Sequence, residues 1–243
     1  MDAQVGRDRT AQEKTAEAPG KRLLMDAALR LTSASRSFSS LGLRELAREA
    51  GLNPNTFYRH FKSVDDLGLA LICEVHSQLR QPLRDLRREA ASRAVQGAAE
   101  AQPTLLGIDL ARGRRVCHET VQLFFDFVDA NPEAFLIGVR ELHGASPVMR
   151  QALRGIMDAF AEDMAADILE FRLLPEEVDA GVVRQVSGLI SHNLFQLSLD
   201  YLGEPERRDA WRALAEEQVL MLFTGASVLQ SLGQLKLPDE GGR

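Results

Sequence analysis

The chain is predicted to be all-α: an N-terminal three-helix helix-turn-helix domain followed by a larger helical domain. Three observations predict it. Apolar residues recur at spacings of three and four through most of the 243 residues. No stretch sustains the apolar–polar alternation of a half-buried strand. The patterned segments are separated by helix-stop signals, among them Asn131-Pro132, Gly144 with Pro147, Pro175, and Gly203 with Pro205. About nine or ten helices are expected, with no internal repeat.

Residues 1–19 are charged, lack periodicity and close on Pro19-Gly20, as a disordered arm does. Residues 20–64 form the small domain, 65–235 the large one, and 236–243 a flexible tail. The first helix is expected over 21–35, with Leu23, Leu24, Ala27, Ala28 and Leu31 on one face. Ser37-Phe38-Ser39-Ser40 reads as a loop whose Phe38 plugs a three-helix core. Leu43, Leu46, Ala47 and Ala50 then mark a short amphipathic helix ended by Gly51, which can take the left-handed conformation. Asn53 is a good N-cap and Pro54 suits the first helical position, so another helix starts at once, burying Phe57 and Phe61. Asp65-Asp66 open a long helix striped by Leu67, Leu71, Val75 and Leu79, which Pro82 should kink or split. Residues 92–113, rich in Ala, Gly and Gln and holding Pro103, read as a loose connector. Helices near 114–129, 132–143, 147–172, 176–202 and 206–233 complete the chain.

Two short helices across a glycine turn, the second presenting Asn55, Thr56, Tyr58, Arg59 and His60, have the form of a DNA-reading helix-turn-helix. The alternative is a structural αα-corner. The polar groups fall in the first two turns, where they could reach base edges, and the flanks carry Lys21, Arg22, Arg44, Arg48, Arg59 and Lys62. A formal charge of −6 argues against a nucleic-acid partner only until its distribution is read. Residues 18–64 carry a net +5 and residues 65–243 a net −10, so phosphate is drawn to one end.

Hydrophobic content is 45%, and no apolar run approaches the ~20 residues of a membrane span. No membrane partner is expected. Met1 to Gly20 lack the apolar core of a signal peptide, and Cys73 and Cys117 stand alone without metal-ligand spacing. A reducing, cytoplasmic location follows, with no metal and no disulfide framework. An enzyme finds little material here. His118-Glu119 lacks the second histidine of a zinc-protease helix, no glycine-rich phosphate loop follows a strand, and neither cysteine has an evident histidine partner.

The last two helices are apolar along one side (Val182, Val186, Ile190 and Leu194, then Trp211, Leu214, Leu222 and Leu229), and Gly225-Ala226-Ser227 offer small side chains for close approach. Core packing and a homodimeric four-helix interface both fit. A DNA reader favours the dimer, because one short helix reads too few base pairs to be selective. Phe124, Phe125, Phe127, Phe135, Leu136 and Val139 cluster on two adjacent helices, with Phe160 and Phe171 near. They suit either a packed core or an apolar tunnel. Arg140, flanked by Val139 and Leu142, needs an anionic partner if buried; Glu119 or Glu141 could serve, or Arg140 with His143 could meet a ligand's polar head. His192-Asn193 are read as satisfied core or interface groups.

On these residues, Ser40-Leu41-Gly42-Leu43-Arg44-Glu45-Leu46-Ala47-Arg48-Glu49-Ala50-Gly51 with Thr56-Phe57-Tyr58-Arg59-His60-Phe61, the N-terminal third resembles the TetR family of transcriptional repressors. The resemblance implies an all-helical homodimer on a palindromic double-stranded DNA operator, with a small hydrophobic effector held in the C-terminal domain and no cofactor. By position, Arg44, Asn55, Thr56 and Tyr58 would contact bases or their nearest phosphates and His60 and Lys62 the backbone, with Lys21, Arg22, Asn53 and Pro54 completing the DNA face. Gly42 stands where the family usually caps the second helix with Ser or Thr, and Val64 where it often has lysine.

Tyr58-Arg59-His60-Phe61-Lys62-Ser63-Val64-Asp65-Asp66-Leu67-Gly68-Leu69, and further on Phe125-Asp126-Phe127-Val128-Asp129-Ala130-Asn131-Pro132-Glu133-Ala134-Phe135 with Arg140-Glu141, are similar to one branch, the regulators of unsaturated fatty-acid synthesis and acyl desaturation. That similarity implies a long-chain acyl thioester such as acyl-CoA as effector, met by Phe124, Phe127, Phe135, Val139, Arg140 and His143. Two alternatives stand beside it: a regulator answering an unrelated apolar drug or metabolite, and a helical interaction protein without DNA binding.

Overall fold

The computed structural model describes residues 19–33, 36–96 and 109–235. Among them are nine α-helices and two short 3-10 turns, with no strand. The expected arm before Pro19, the centre of the connector at 97–108 and the tail at 236–243 lie outside the described residues.

Helix α1 spans Pro19–Ser33, so Pro19-Gly20 form its first turn rather than ending the arm. Proline costs little there, since the first helical N–H groups lack intrahelical partners in any case. A 3-10 turn (Phe38–Ser40) buries Phe38, and then come α2 (Leu43–Glu49) and α3 (Pro54–His60). The turn between them closes as expected. Gly51 sits at φ 68°, and the Gly51 and Leu52 N–H groups donate to the carbonyls of Arg48 (3.0 Å) and Ala47 (2.8 Å). This paired closure satisfies carbonyls that the helix end would leave bare. Asn53 Oδ1 caps α3 by accepting from the Asn55 N–H at 2.9 Å. Gly42 occupies the N-cap of α2 without a side-chain hydrogen bond. Leu24, Phe38, Leu46, Phe57 and Leu67 close the small core.

Helix α4 runs unbroken from Val64 to Gln96, 33 residues and about 50 Å at 1.5 Å per residue. Of the kink or split expected at Pro82, the split does not occur. Pro82 is exposed, so water can solvate the carbonyl it leaves without a donor, while Leu79 and Leu83 are buried on either side of it. Its N-terminal end supplies Leu67 and Leu71 to the small core, and its middle supplies Leu79 and Leu83 to the large one.

The large domain continues with α5 (Leu110–Ala130), α6 (Pro132–Leu142), α7 (Pro147–Glu170), α8 (Ala180–Gly203), a 3-10 turn (Pro205–Arg207) and α9 (Arg208–Ser231). Asp109, Ser146 and Asp179 cap α5, α7 and α8 through their side chains. The segment 176–179, expected as helix, is instead turn and cap. Helix α8 packs against α7 and α9, and α4 against α5 and α7. Arg212 of α9 ties this bundle to α5, reaching Asp126 (2.8 Å), Asp129 (3.1 Å) and the Tyr201 hydroxyl (2.9 Å). Asn193 is satisfied by Gln218 of α9 at 2.5 Å, and His192 is exposed. Among the described residues Gly225 presses on nothing: a Cβ there would meet open space.

Candidate nucleic-acid interface and apolar cavity

The start of α3 projects Asn53, Pro54 and Asn55 into solvent, and Tyr58 stands 64% exposed, edge-on to the buried Phe57 at 5.8 Å. Thr56 is half-buried beside them. Four exposed cations surround this tip: Arg44 and Arg48 on α2, Arg59 on α3 and Lys62 after it. None of the four makes an ion pair among the described residues, so their charge faces outward. The other arginines of the unit are engaged. Arg36 pairs with Glu45 (2.6 Å), Arg30 with Glu49 (2.9 Å), and Arg22 with Asp26 (3.0 Å) and with Glu74 of α4. Arg22 thus braces α1 against α4. His60 packs under the start of α1, where a Cβ on Gly20 would stand 2.7 Å from its Nε2. Lys21 is half-buried in the same turn. Arg48, noted in the sequence only as a basic flank, belongs to the outward-facing set, as does Arg59, expected on the outward face of the second helix.

Beneath this unit lies an apolar cavity of about 1100 Å³, its open mouth included. Its wall crosses the boundary between the two domains. Leu29 of α1 and Phe38 of the 3-10 turn face it from one side, Phe124, Phe135, Met157 and Phe160 from the other. Phe124 and Phe135 meet at right angles (5.7 Å), and Phe135 contacts Phe195 of α8 (6.0 Å). His76 of α4 also lines it, edge-on to Phe160, and its burial, with the neighbouring Arg80 charge, lowers its pKa and favours the neutral ring.

The other expected ligand residues lie outside this lining. Phe127 sits behind Phe135, ring centres 6.1 Å apart. Val139, Arg140 and His143 turn away because about 100° per residue carries them off the arc of Phe135, Ile137 and Gly138. Phe125 belongs to the packed core, stacked on Tyr201 at 4.5 Å. Phe171 lies elsewhere, its carbonyl accepting from Arg112.

Arg140 corrects a second expectation. It pairs with neither Glu119, which Arg93 holds at 2.7 Å, nor Glu141. Its Nη1 donates instead to the backbone carbonyls of Thr32 (2.6 Å) and Arg36 (3.0 Å), at the end of α1 and just beyond it. The Thr32 carbonyl belongs to the negative C-terminal end of α1, which suits a cation as an acidic side chain would. Glu141, fully buried, works from the same helix: its Oε1 accepts from the Phe38 N–H (2.7 Å) and the Ser37 hydroxyl (3.0 Å). Helix α6 therefore touches the cavity with Phe135, Ile137 and Gly138 and grips the N-terminal unit with Arg140 and Glu141. Hydrogen bonds to charged groups across a buried joint of this kind contribute ~1.5–3 kcal/mol each.

A second apolar cavity of about 750 Å³, its open mouth included, adjoins the first, sharing Arg87, Thr120, Met164 and Leu194 as a common wall. Arg87 of α4 is 4% exposed and paired with Asp167 of α7, itself 1% exposed, at 2.7 Å. Arg80 binds Asp163 in the same stack, its Nη2 at 2.9 Å, and Arg84 spans both acids at 3.4 and 3.6 Å. Burial pushes the Asp163 carboxyl up, but the Arg80 hydrogen bond and the charges of Arg80, Arg84 and Arg87 outweigh it and hold it below the ordinary range. Sequence reading missed this network. Its signal was present: Arg80, Arg84 and Arg87 repeat at helical spacing, as do Asp163 and Asp167. Among the described residues no group of acids, cysteines and histidines has the arrangement of a metal site.

Residues 24–71 match the bacterial regulatory proteins of the tetR family. Most of the chain is similar in fold to several solved structures. The fatty acid degradation regulator FadR from Bacillus halodurans has a TM-score of 0.60 at 15% identity, covering 87% of this chain and 98% of its own. FadR from Bacillus subtilis in complex with stearoyl-CoA has 0.57 at 15% identity, covering 84% and 98%. The SmeT–triclosan complex has 0.58 at 16% identity, covering 84% and 90%.

Proposed function

We propose that the chain, whose residues 24–71 match the tetR family of bacterial regulatory proteins, is a TetR-type transcriptional repressor rather than an enzyme, released or engaged by a long-chain acyl thioester. Two copies bind a palindromic operator, each reading with Arg44, Asn55, Thr56 and Tyr58 and gripping phosphate with Arg48, Arg59 and Lys62. The N-terminal unit of residues 20–64 is the reader; residues 65–235 hold the effector and the dimer face. The protein works in the cytoplasm; no described helix is long and apolar enough to cross a membrane. Its regulated genes serve fatty-acid desaturation or lipid metabolism.

One observation carries this reading: the apolar cavity has residues of the reader, Leu29 and Phe38, in its own wall. A chain entering it pushes on the reading unit directly. Each buried methylene is worth ~0.8 kcal/mol, enough for a long acyl chain to offset the cost of shifting the joint. The stearoyl-CoA held by Bacillus subtilis FadR supports an acyl thioester as the occupant. A second reading, an unrelated apolar compound as effector, is favoured by the triclosan held by SmeT. The dimer is supported by Leu189 (56% exposed), Met221 (60%) and Leu229 (45%) on α8 and α9.

A gel-shift titration on the DNA upstream of its own gene tests both parts. With four outward cations per head, log affinity should fall against log salt with a slope of about −7 for a dimer. Micromolar palmitoyl-CoA or oleoyl-CoA should change the affinity at fixed salt. A flat salt response removes the DNA-binding reading; indifference to both thioesters with a response to triclosan replaces the acyl effector by the second reading.

A further inference from the structure

We propose that Arg87 is the polar anchor of the effector, its guanidinium receiving the acyl oxygen of the ligand at the constriction between the two cavities. The proposal rests on the acyl-effector reading above and adds where the molecule's one polar end is held. Both cavities are otherwise walled mainly by apolar side chains, and Arg87 lines both. Its pairing with Asp167 is lopsided. Nε donates to Oδ2 at 2.7 Å, and Nη2 crowds the same oxygen out of hydrogen-bonding line. Nη2 is therefore buried without a hydrogen bond, and Asp167 Oδ1 likewise has none. A buried donor left in that condition is costly and donates readily to a well-placed oxygen.

The charge of the neighbourhood points the same way. Arg80, Arg84 and Arg87 face two carboxylates, Asp163 and Asp167, so one positive charge is left over in the stack. The remaining titratable group on the larger cavity, His76, adds no negative charge. Excess positive charge beside apolar walls selects an amphiphile whose oxygen carries negative charge or a strong dipole. A free acid's carboxylate and a thioester's carbonyl share that chemistry. In both, the hydrocarbon chain lies in the larger cavity.

The test is displacement of cis-parinaric acid, a fluorescent C18 carboxylate, from the full-length protein by palmitate and separately by palmitoyl-CoA. Arg87→Met should weaken whichever compound displaces the probe by about 10- to 100-fold, the loss of one charged hydrogen bond. Displacement by palmitate alone identifies the free acid as the source of the oxygen, and by palmitoyl-CoA alone the thioester. Asp167→Asn breaks the same ion pair yet leaves the guanidinium in place, so it should bind at least as tightly as the wild type while melting lower. Equal losses in Arg87→Met and Asp167→Asn make the pair a structural brace and overturn the proposal. Unchanged affinity in Arg87→Met overturns it while leaving the acyl effector standing. A wild-type protein that binds neither compound removes the acyl effector itself.

Discussion

Replacing Glu141 by alanine should loosen the joint between cavity and reading head by a calculable amount. The side chain is fully buried, and its Oε1 holds the Phe38 N–H at 2.7 Å and the Ser37 hydroxyl at 3.0 Å. Alanine leaves a buried backbone N–H unpaired, which costs ~1–3 kcal/mol, and removes a charged acceptor from the hydroxyl, ~1 kcal/mol more. The expected loss is about 3 kcal/mol. A chain of this size shifts by ~2–4 °C per kcal/mol, so the melting temperature followed by circular dichroism should fall by roughly 6–12 °C. Glu141→Gln keeps an oxygen at the same place and forfeits only the charge, so a drop of about 2–4 °C is expected. Because Phe38 also lines the cavity, the alanine variant should also bind DNA with a reduced response to the acyl effector. A melting temperature for Glu141→Ala within 2 °C of wild type refutes the claim that this carboxylate holds the joint.

Four further outcomes follow from named groups. Burial, reinforced by Glu216, pushes the Cys117 thiol up to about 12, so at pH 8 it stays protonated; a thiol reagent should label exposed Cys73 at once and Cys117 only after unfolding. Two fast equivalents would contradict that environment. The Asp163 carboxyl is held below its ordinary range, so it adds stability above its unfolded pKa of ~3.9 that is lost as pH falls through the folded value. Asp163→Asn should flatten this acid limb of the stability profile, and an unchanged limb counts against the network. Met221→Glu places a charge on the exposed face of α9, and sedimentation should then report monomers under conditions in which the proposed wild-type dimer is seen; a persistent dimer assigns the interface elsewhere. Tyr58→Ala should weaken binding on all DNA sequences, whereas Asn55→Ala should also relax base preference; equal losses on operator and random DNA for both remove those roles.

The helix-turn-helix was legible because its information is local. Gly51, Asn53 and Pro54 act through their own backbone, and the hydrogen bonds that they direct span five residues or fewer. Periodicity found the helices of the large domain for the same reason. Whether Pro82 would split its helix was not legible, because a proline's cost depends on whether water or core meets the carbonyl it frees, and burial is not a local property. Charge counting fell short in a similar way. It located the basic end correctly, yet it could not tell the outward Arg44, Arg48, Arg59 and Lys62 from Arg22, Arg30 and Arg36, which hold helices together.

The sites in the large domain depended on partners distant in sequence. Arg140 finds carbonyls more than a hundred positions away, and Arg87 finds Asp167 eighty away. Of the aromatic stripe, Phe124 and Phe135 reached the cavity while Phe125 and Phe127 went into packing, a choice made by which neighbour stood between ring and void. The sequence by itself therefore determined the all-helical class, the reading head and its capped turn, since these follow from each residue's own conformational preferences. Only the tertiary structure decided where the cavity lies, that the reading head forms part of its wall, and which arginine is buried beside it, because packing, and the burial that comes with it, is settled by the whole fold.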